Sequence, residues 1–245
     1  MCTLLIANKV CEGYPLVVAA NRDEKYDRPS APPRVMKSSG NMIYAPVDLK
    51  ADGTWIGVSE RGVLAAITNR SDVPYRPRPT SRGSLVTRAL AAPNATAAMQ
   101  QIMAFTARDY NGFQLFVADL RNAYIIRGDS VGMQLIRVTK GVTVLTERGI
   151  GPDNAPRAAS ALARTRFHDR HNGTTPRSLD HVLSYLDFVN PEASVSVHDP
   201  KRKYGTRSST IIRLSTNRLM FDVWHREGAP HKAAFGDVAR VPFAA

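Results

Sequence analysis

Cys2 is the most reactive side chain in the first thirty positions, and Asn21-Arg22-Asp23-Glu24 is the densest set of groups able to serve it. The nucleophilic form of cysteine is the thiolate, and a neighbouring guanidinium lowers the thiol pKa. If Met1 is removed, Cys2 also carries a free α-amine, whose ordinary pKa of about 7.7–8.0 suits a general base near neutral pH. Nucleophile and base then belong to one residue, and Asp23 can hold and orient the amine. The matching reaction is attack on an amide or related acyl carbon through a thioester, with a backbone N–H and an amide side chain on the oxyanion. The plain alternative for Cys2 is a small buried hydrophobe near a chain end.

Other chemistries find less support. Gly57-Val58-Ser59-Glu60-Arg61-Gly62 lacks the G-x-S-x-G spacing of a serine nucleophile elbow. The six histidines, at 168, 171, 181, 198, 225 and 231, form neither an HExxH string nor a set with paired cysteines, so no metal site is expected.

A hairpin must bring the cysteine to the cluster. Residues 3–8 and 15–20 are continuous apolar runs, as in strands buried on both faces. A turn centred on Glu12-Gly13 sets Cys2 opposite Asp23 and Thr3 opposite Arg22. A shift of one residue sets Arg22 opposite Cys2 instead. In either register the opposed residues are about 4.5–5.5 Å apart.

Further strands are expected at 42–46, in a hairpin over 54–69 turning at 60–62, and at 113–119, 123–127, 131–137 and 142–146. More follow in 207–245, at 208–215, 218–225 and 231–236. Helical spacing marks 83–91, 95–108, 156–169 and 178–188, with Pro93-Asn94 stopping one helix and capping the next. Long hairpins mixed with paired helices imply one layered α+β domain over 1–245, two packed sheets between helix layers.

A formal charge of +12 and a pI near 10.1 point to an anionic partner. The basic residues concentrate at Arg70, Arg76, Arg78 and Arg82, and again at Lys201, Arg202, Lys203 and Arg207. Residues 74–82 form a Pro/Arg loop that suits a solvated connection, a lid or an anion clamp. Aromatics are only 7% and are not interleaved with the basic clusters, so nucleic-acid binding is not expected. Cys2 and Cys11 on one strand stand roughly 30 Å apart, too far for a disulfide. No signal peptide or membrane span is visible, and a cytoplasmic location is the expectation.

The strings MCTLLIA (1–7), AANRDEKYDRP (19–29), DGTWIGVSERG (52–62), ITNR (67–70), TSRGSLV (80–86), NGFQLFVAD (111–119) and HDPKRKYGTRSSTIIRL (198–214) together resemble the NRDE family, also called the transport and Golgi organization protein 2 family. The resemblance implies an αββα sandwich of the N-terminal nucleophile hydrolase type. More distantly it extends to cysteine amidases acting on penicillin V or bile salts. Those enzymes use an N-terminal Cys, a nearby Arg and Asp, an Asn for the oxyanion and a late Arg. By motif Cys2 and Asp23 carry over, with Arg22 and Asn21 beside them, Asn69 as the oxyanion group and Arg207 as the late Arg. At 145–149 this chain reads LTERG where family members often have L-S-N. The family also implies haem trafficking, or lipid and acyl-CoA handling. The basic residues Arg76, Arg78, Arg82 and Lys203, with His198 and Tyr204, offer a mouth for an anionic small molecule: haem, an acyl-CoA or an amide. No cofactor is required.

Overall fold

The computed structural model describes residues 2–11, 13–77, 80–151, 195–217, 219–230 and 232–244. The chain divides into two compact units. The first comprises 1–27, 140–217 and 222–239, and the second 28–139, 218–221 and 240–245.

The two long apolar runs form β1 (Cys2–Cys11) and β2 (Tyr14–Lys25). Gly13, at φ +74°, supplies the left-handed turn residue between them. Near the turn, Cys11 faces Tyr14, which is the expected offset. An irregularity between Asn8 and Cys11, where Lys9 takes φ +57°, then moves the register by one residue. Cys2 therefore faces Arg22 rather than Asp23, and Thr3 faces Asn21.

The second unit is built on β3 (Ser30–Ser38), β4 (Asn41–Asp48), β5 (Ile56–Ser59), β6 (Leu64–Asn69), β7 (Phe113–Ala118), β8 (Ala123–Gly128) and β9 (Met133–Arg137). They form a sheet in that sequential order. β3 was not among the expected strands, and it contains Pro32 and Pro33. As an edge strand it tolerates them, and its pairing with β4 is irregular between Ala31 and Arg34. Helices α1 (Gly83–Ala91) and α2 (Ala95–Met103) pack on this sheet. Leu85, Val86, Leu90, Ala98 and Ile102 are buried among Ile67, Phe113, Leu115 and Ile126. Asn94 caps α2 as expected, its side chain accepting from the Ala97 N–H at 2.8 Å. α2 stops at Met103, short of the expected 108, and a 3₁₀ turn follows at Ala107–Asp109.

The first unit resumes with β10 (Gly141–Thr146), β11 (Gly149–Ile150), β12 (His198–Asp199), β13 (Tyr204–Ser215), β14 (Met220–Glu227) and β15 (Ala239–Pro242). The sheet runs β11-β10-β1-β2-β13-β14-β15, with β12 on β13. The expected strand at 231–236 is not among the described strands; β15 forms further along. The expected helices at 156–169 and 178–188 lie outside the described residues. On one face of this sheet Leu5, Ala7, Val17, Ala19, Val144 and Ile211 share a core with Val195. Alternation sends Leu4, Ile6, Leu16 and Val18 to the other face, and they too are buried. The continuous apolar runs thus form strands covered on both sides.

Candidate active site

Cys2 begins β1, and the three strands β1, β2 and β13 set its surroundings by register alone. Cys2 faces Arg22 across β1 and β2, and Arg22 faces Ser208 across β2 and β13. Opposed side chains share a face, so a thiol, a guanidinium and a hydroxyl form one row. Arg22 is 4% exposed and Ser208 fully buried. Asp23 lies one position further along β2, and its backbone N–H donates to the Cys2 sulfur.

Cys2 is a free cysteine that keeps partial exposure. Burial nevertheless pushes its thiol pKa up, with the Asp23 carboxylate adding to the rise. The positive amino terminus, the Asp23 N–H and Arg22 pull the other way. The thiol therefore stays in its protonated form near neutral pH.

β13 carries a bulge between Thr206 and Ser208, with Arg207 as the extra residue. Bulges re-aim side chains, and this one gives Asp23 a partner. Thr206 faces Asp23 and its hydroxyl donates to Asp23 Oδ1 at 2.6 Å. The Tyr204 hydroxyl donates to the Asp23 carbonyl at 2.6 Å. Asp23 is 1% exposed, so its carboxylate is held by hydrogen bonds inside the protein.

The structure places the other sequence-derived residues as follows. Asn21 is fully buried, donates to the Val195 carbonyl at 3.0 Å and accepts from Ser209 Oγ at 2.6 Å. It fastens β2 to β13 and to the segment entering β12. His198 opens β12, and Lys203 ends the turn before β13 at φ +51°. Arg207 lies over the Tyr26 ring, 5.5 Å from its centroid. These residues all belong to the first unit.

Asn69, Arg76 and Arg82 belong to the second unit. Asn69 ends β6, paired with Phe113. Arg76 donates to the Tyr110 carbonyl, and Arg82 to the Gly112 carbonyl at 3.0 Å. Asn111 adds two hydrogen bonds to the Arg76 backbone, at 2.8 and 3.0 Å. The loop is thus tied to residues 110–112 by its own arginines. Arg78 lies outside the described residues.

Sequence reasoning missed Thr206, Tyr26 and Gly205. Thr206 and Gly205 adjoin Arg207 in the late string, and Tyr26 follows the acidic cluster by two positions. Nothing in the spacing told which neighbours would turn inward, because the bulge decides it. Among the described residues no three or more His, Cys, Asp or Glu gather as metal ligands, and no helix is long and apolar enough to cross a membrane.

The fold has relatives among solved structures. The N-acylethanolamine-hydrolyzing acid amidase ortholog of Caenorhabditis elegans superposes with a TM-score of 0.59 at 13% identity, covering 86% of this chain and 92% of its own. A C2A mutant of the conjugated bile acid hydrolase of Clostridium perfringens gives 0.58 at 10% identity, covering 100% and 97%. These neighbours have the N-terminal nucleophile hydrolase fold, the α+β sandwich class expected from the sequence. At such identities they establish the fold alone. In sequence the chain is 36% identical over 248 residues to the human Transport and Golgi organization protein 2 homolog, covering 85% of this chain and 88% of that protein. The mouse homolog is 34% identical over 237 residues, covering 83% of each. The family model for Transport and Golgi organisation 2 matches residues 1–224, and the chain belongs to that family.

Proposed function

We propose that the chain is an amidohydrolase of the N-terminal cysteine type, acting on a small-molecule amide. The observation that carries this reading is the register of β1 on β2. It puts the Cys2 thiol beside Arg22 and under the Asp23 N–H. A thiol whose pKa is raised by burial requires a base in contact with it. Removal of Met1 supplies one, the α-amine of Cys2 itself.

In the first step Sγ bonds to the acyl carbon as the α-amine takes the thiol proton. The tetrahedral oxyanion forms beside the Arg22 charge. The C–N bond then breaks, and the ammonium returns its proton to the departing amine. Water attacks the thioester, the same amine accepting a water proton, and releases the carboxylic acid and the thiol. Asp23, fixed by Thr206, orients the amine throughout. The neighbours with this fold include an N-acylethanolamine hydrolase and a conjugated bile acid hydrolase, which favours an acyl amide as substrate.

The test is incubation of the purified chain with N-dodecanoylethanolamine and N-dodecanoylglycine, reading free dodecanoic acid. Release by the wild type and none by Cys2→Ala is expected. Equal release by both proteins contradicts the reading, as does an N-terminal peptide that retains Met1 in an active preparation.

A second reading, binding of haem as cargo, is favoured by His198. It is an exposed imidazole at the start of β12, with its Nδ1 bonded to the Tyr26 hydroxyl at 3.3 Å, and imidazole is a common iron ligand. Titration with hemin should shift the Soret band in the wild type and not in His198→Ala. The same shift in both argues against it.

A further inference from the structure

Tyr26 contacts three of the basic residues around the start of β13. Its ring lies beneath the Arg207 guanidinium, 5.5 Å from the centroid. Its hydroxyl is bonded to His198 Nδ1 at 3.3 Å. Its backbone N–H donates to the Lys203 carbonyl at 2.8 Å. The strand beneath makes room for the ring. A Cβ on Gly205 would stand 3.2 Å from the Tyr26 Cε1 and Oη and 2.8 Å from the Val197 carbonyl oxygen. Gly205 is buried, and its φ is not in the left-handed region, so close approach is what glycine serves here.

The position matters as much as the contacts. Arg207 is the bulge residue between Thr206, which faces Asp23, and Ser208, which faces Arg22. Arg22 in turn faces Cys2, so Arg207 stands two strands from the nucleophile, about 10 Å in backbone spacing. That is the reach of a short acyl-amide head. Tyr26 and Arg207 are half-buried while His198 and Lys203 are exposed, so the cluster opens to solvent. A guanidinium laid on an aromatic face loses rotational freedom, and its edge donors stay directed outward.

We propose that Tyr26 is a positioning residue that holds Arg207 and His198 as the seat for a negatively charged end of the amide substrate. The proposal rests on the amidohydrolase reading for the identity of the ligand as an amide, and on the geometry above for the seat. Tyr26 acts through its neighbours and takes no part in bond breaking. Its effect falls on the discrimination between charged and neutral amides, not on the chemical step. The seat is electrostatic and partly exposed, so rising salt weakens it.

The experiment measures calorimetric Kd values of the full chain for N-dodecanoylglycine, which ends in a carboxylate, and for N-dodecanoylethanolamine, which is neutral. Proteins carrying Cys2→Ala are used so that nothing is consumed. The expected result is binding of the charged amide about tenfold tighter at low salt, a preference that Tyr26→Leu and Arg207→Gln each reduce to about twofold or less. Far-UV circular dichroism and melting establish that each variant is folded. Should Tyr26→Leu fail to fold, Tyr26→Phe keeps the ring under Arg207 and frees only His198. It should cut the preference by about two- to threefold, as should His198→Gln.

A full preference in a folded Tyr26→Leu, or in both Tyr26→Phe and His198→Gln, overturns the proposal. So does equal binding of the two amides, or binding of neither, in the background protein. Turnover with Cys2 intact separates the two readings. A charge preference without cleavage of either amide leaves the seat standing and removes the amidohydrolase reading. Cleavage of both with no preference does the reverse.

Discussion

Two arginine-rich regions stand out in the sequence, and the structure uses them in opposite ways. In the loop after β6, Arg70 pairs with Asp72 and Asp129 at 2.7 and 2.9 Å, and Arg76 and Arg82 donate to the carbonyls of Tyr110 and Gly112. These cations are fasteners. At the start of β13, Lys201, Arg202 and Lys203 are exposed on a tight turn and Arg207 lies over an aromatic ring. There the lysines and Arg202 are open to solvent, and Arg207 is half-buried in the β13 bulge. Equal charge density in a sequence therefore says little about partners. What matters is whether carbonyls and carboxylates close by engage the donors first.

The sharpest way to separate the regions is to remove the Cys2 thiol. Cys2→Ala should lower amide turnover by about a thousandfold or more while the melting temperature stays within about 2 °C of wild type. A comparable loss of stability would make Cys2 a core residue instead. The next effect concerns its support. Thr206→Val leaves the buried Asp23 carboxylate without its 2.6 Å donor, at a cost of about 1.5–3 kcal/mol in denaturant unfolding. Turnover should fall with it, whereas a neutral result would show that Asp23 has no need of Thr206.

Smaller effects should run in opposite directions in the two regions. Arg76→Ala removes a charged donor from the Tyr110 carbonyl and should cost about 1–2 kcal/mol of stability without changing the preference for a charged amide. Arg207→Ala should abolish that preference and leave unfolding nearly unchanged. If the two variants exchange phenotypes, the contrast between fastener and seat is wrong.

The smallest effect is electrostatic. The hydrogen bond from Arg70 holds the Asp72 carboxyl below its ordinary range. A carboxylate with a depressed folded pKa stabilises the fold above its unfolded pKa, and that stability is lost as pH falls through the folded value. Asp72→Asn should therefore melt below wild type near neutral pH, with a gap that closes below about pH 4. The exposure of Asp72 and screening by solvent keep the gap small. A gap that is constant with pH would remove the ion pair from the account.

Much of this was legible in the sequence because it depends on periodicity. The apolar runs at 3–8 and 15–20 specified the central hairpin, and Asn94 specified the start of α2. The meeting of Cys2 with the acidic and basic cluster followed from counting across a turn. Of the two registers counted, the structure takes the one with Arg22 opposite Cys2, because the left-handed Lys9 sits in a bulge that no residue type announces. The Thr206 partner of Asp23 and the Tyr26 platform were hidden for the same reason, since both depend on the bulge at Arg207. β3 was hidden by its prolines, which an edge strand accepts.

The central claim is that Cys2, exposed as the first residue, forms a thioester with an acyl amide. Mass spectrometry of acid-quenched protein after brief incubation with N-dodecanoylglycine tests it directly. The account predicts an N-terminal peptide that lacks Met1 and carries one dodecanoyl group on Cys2, absent from Cys2→Ala. An acyl group on any other residue, or a turning-over enzyme whose N-terminal peptide still begins with Met1, would contradict it.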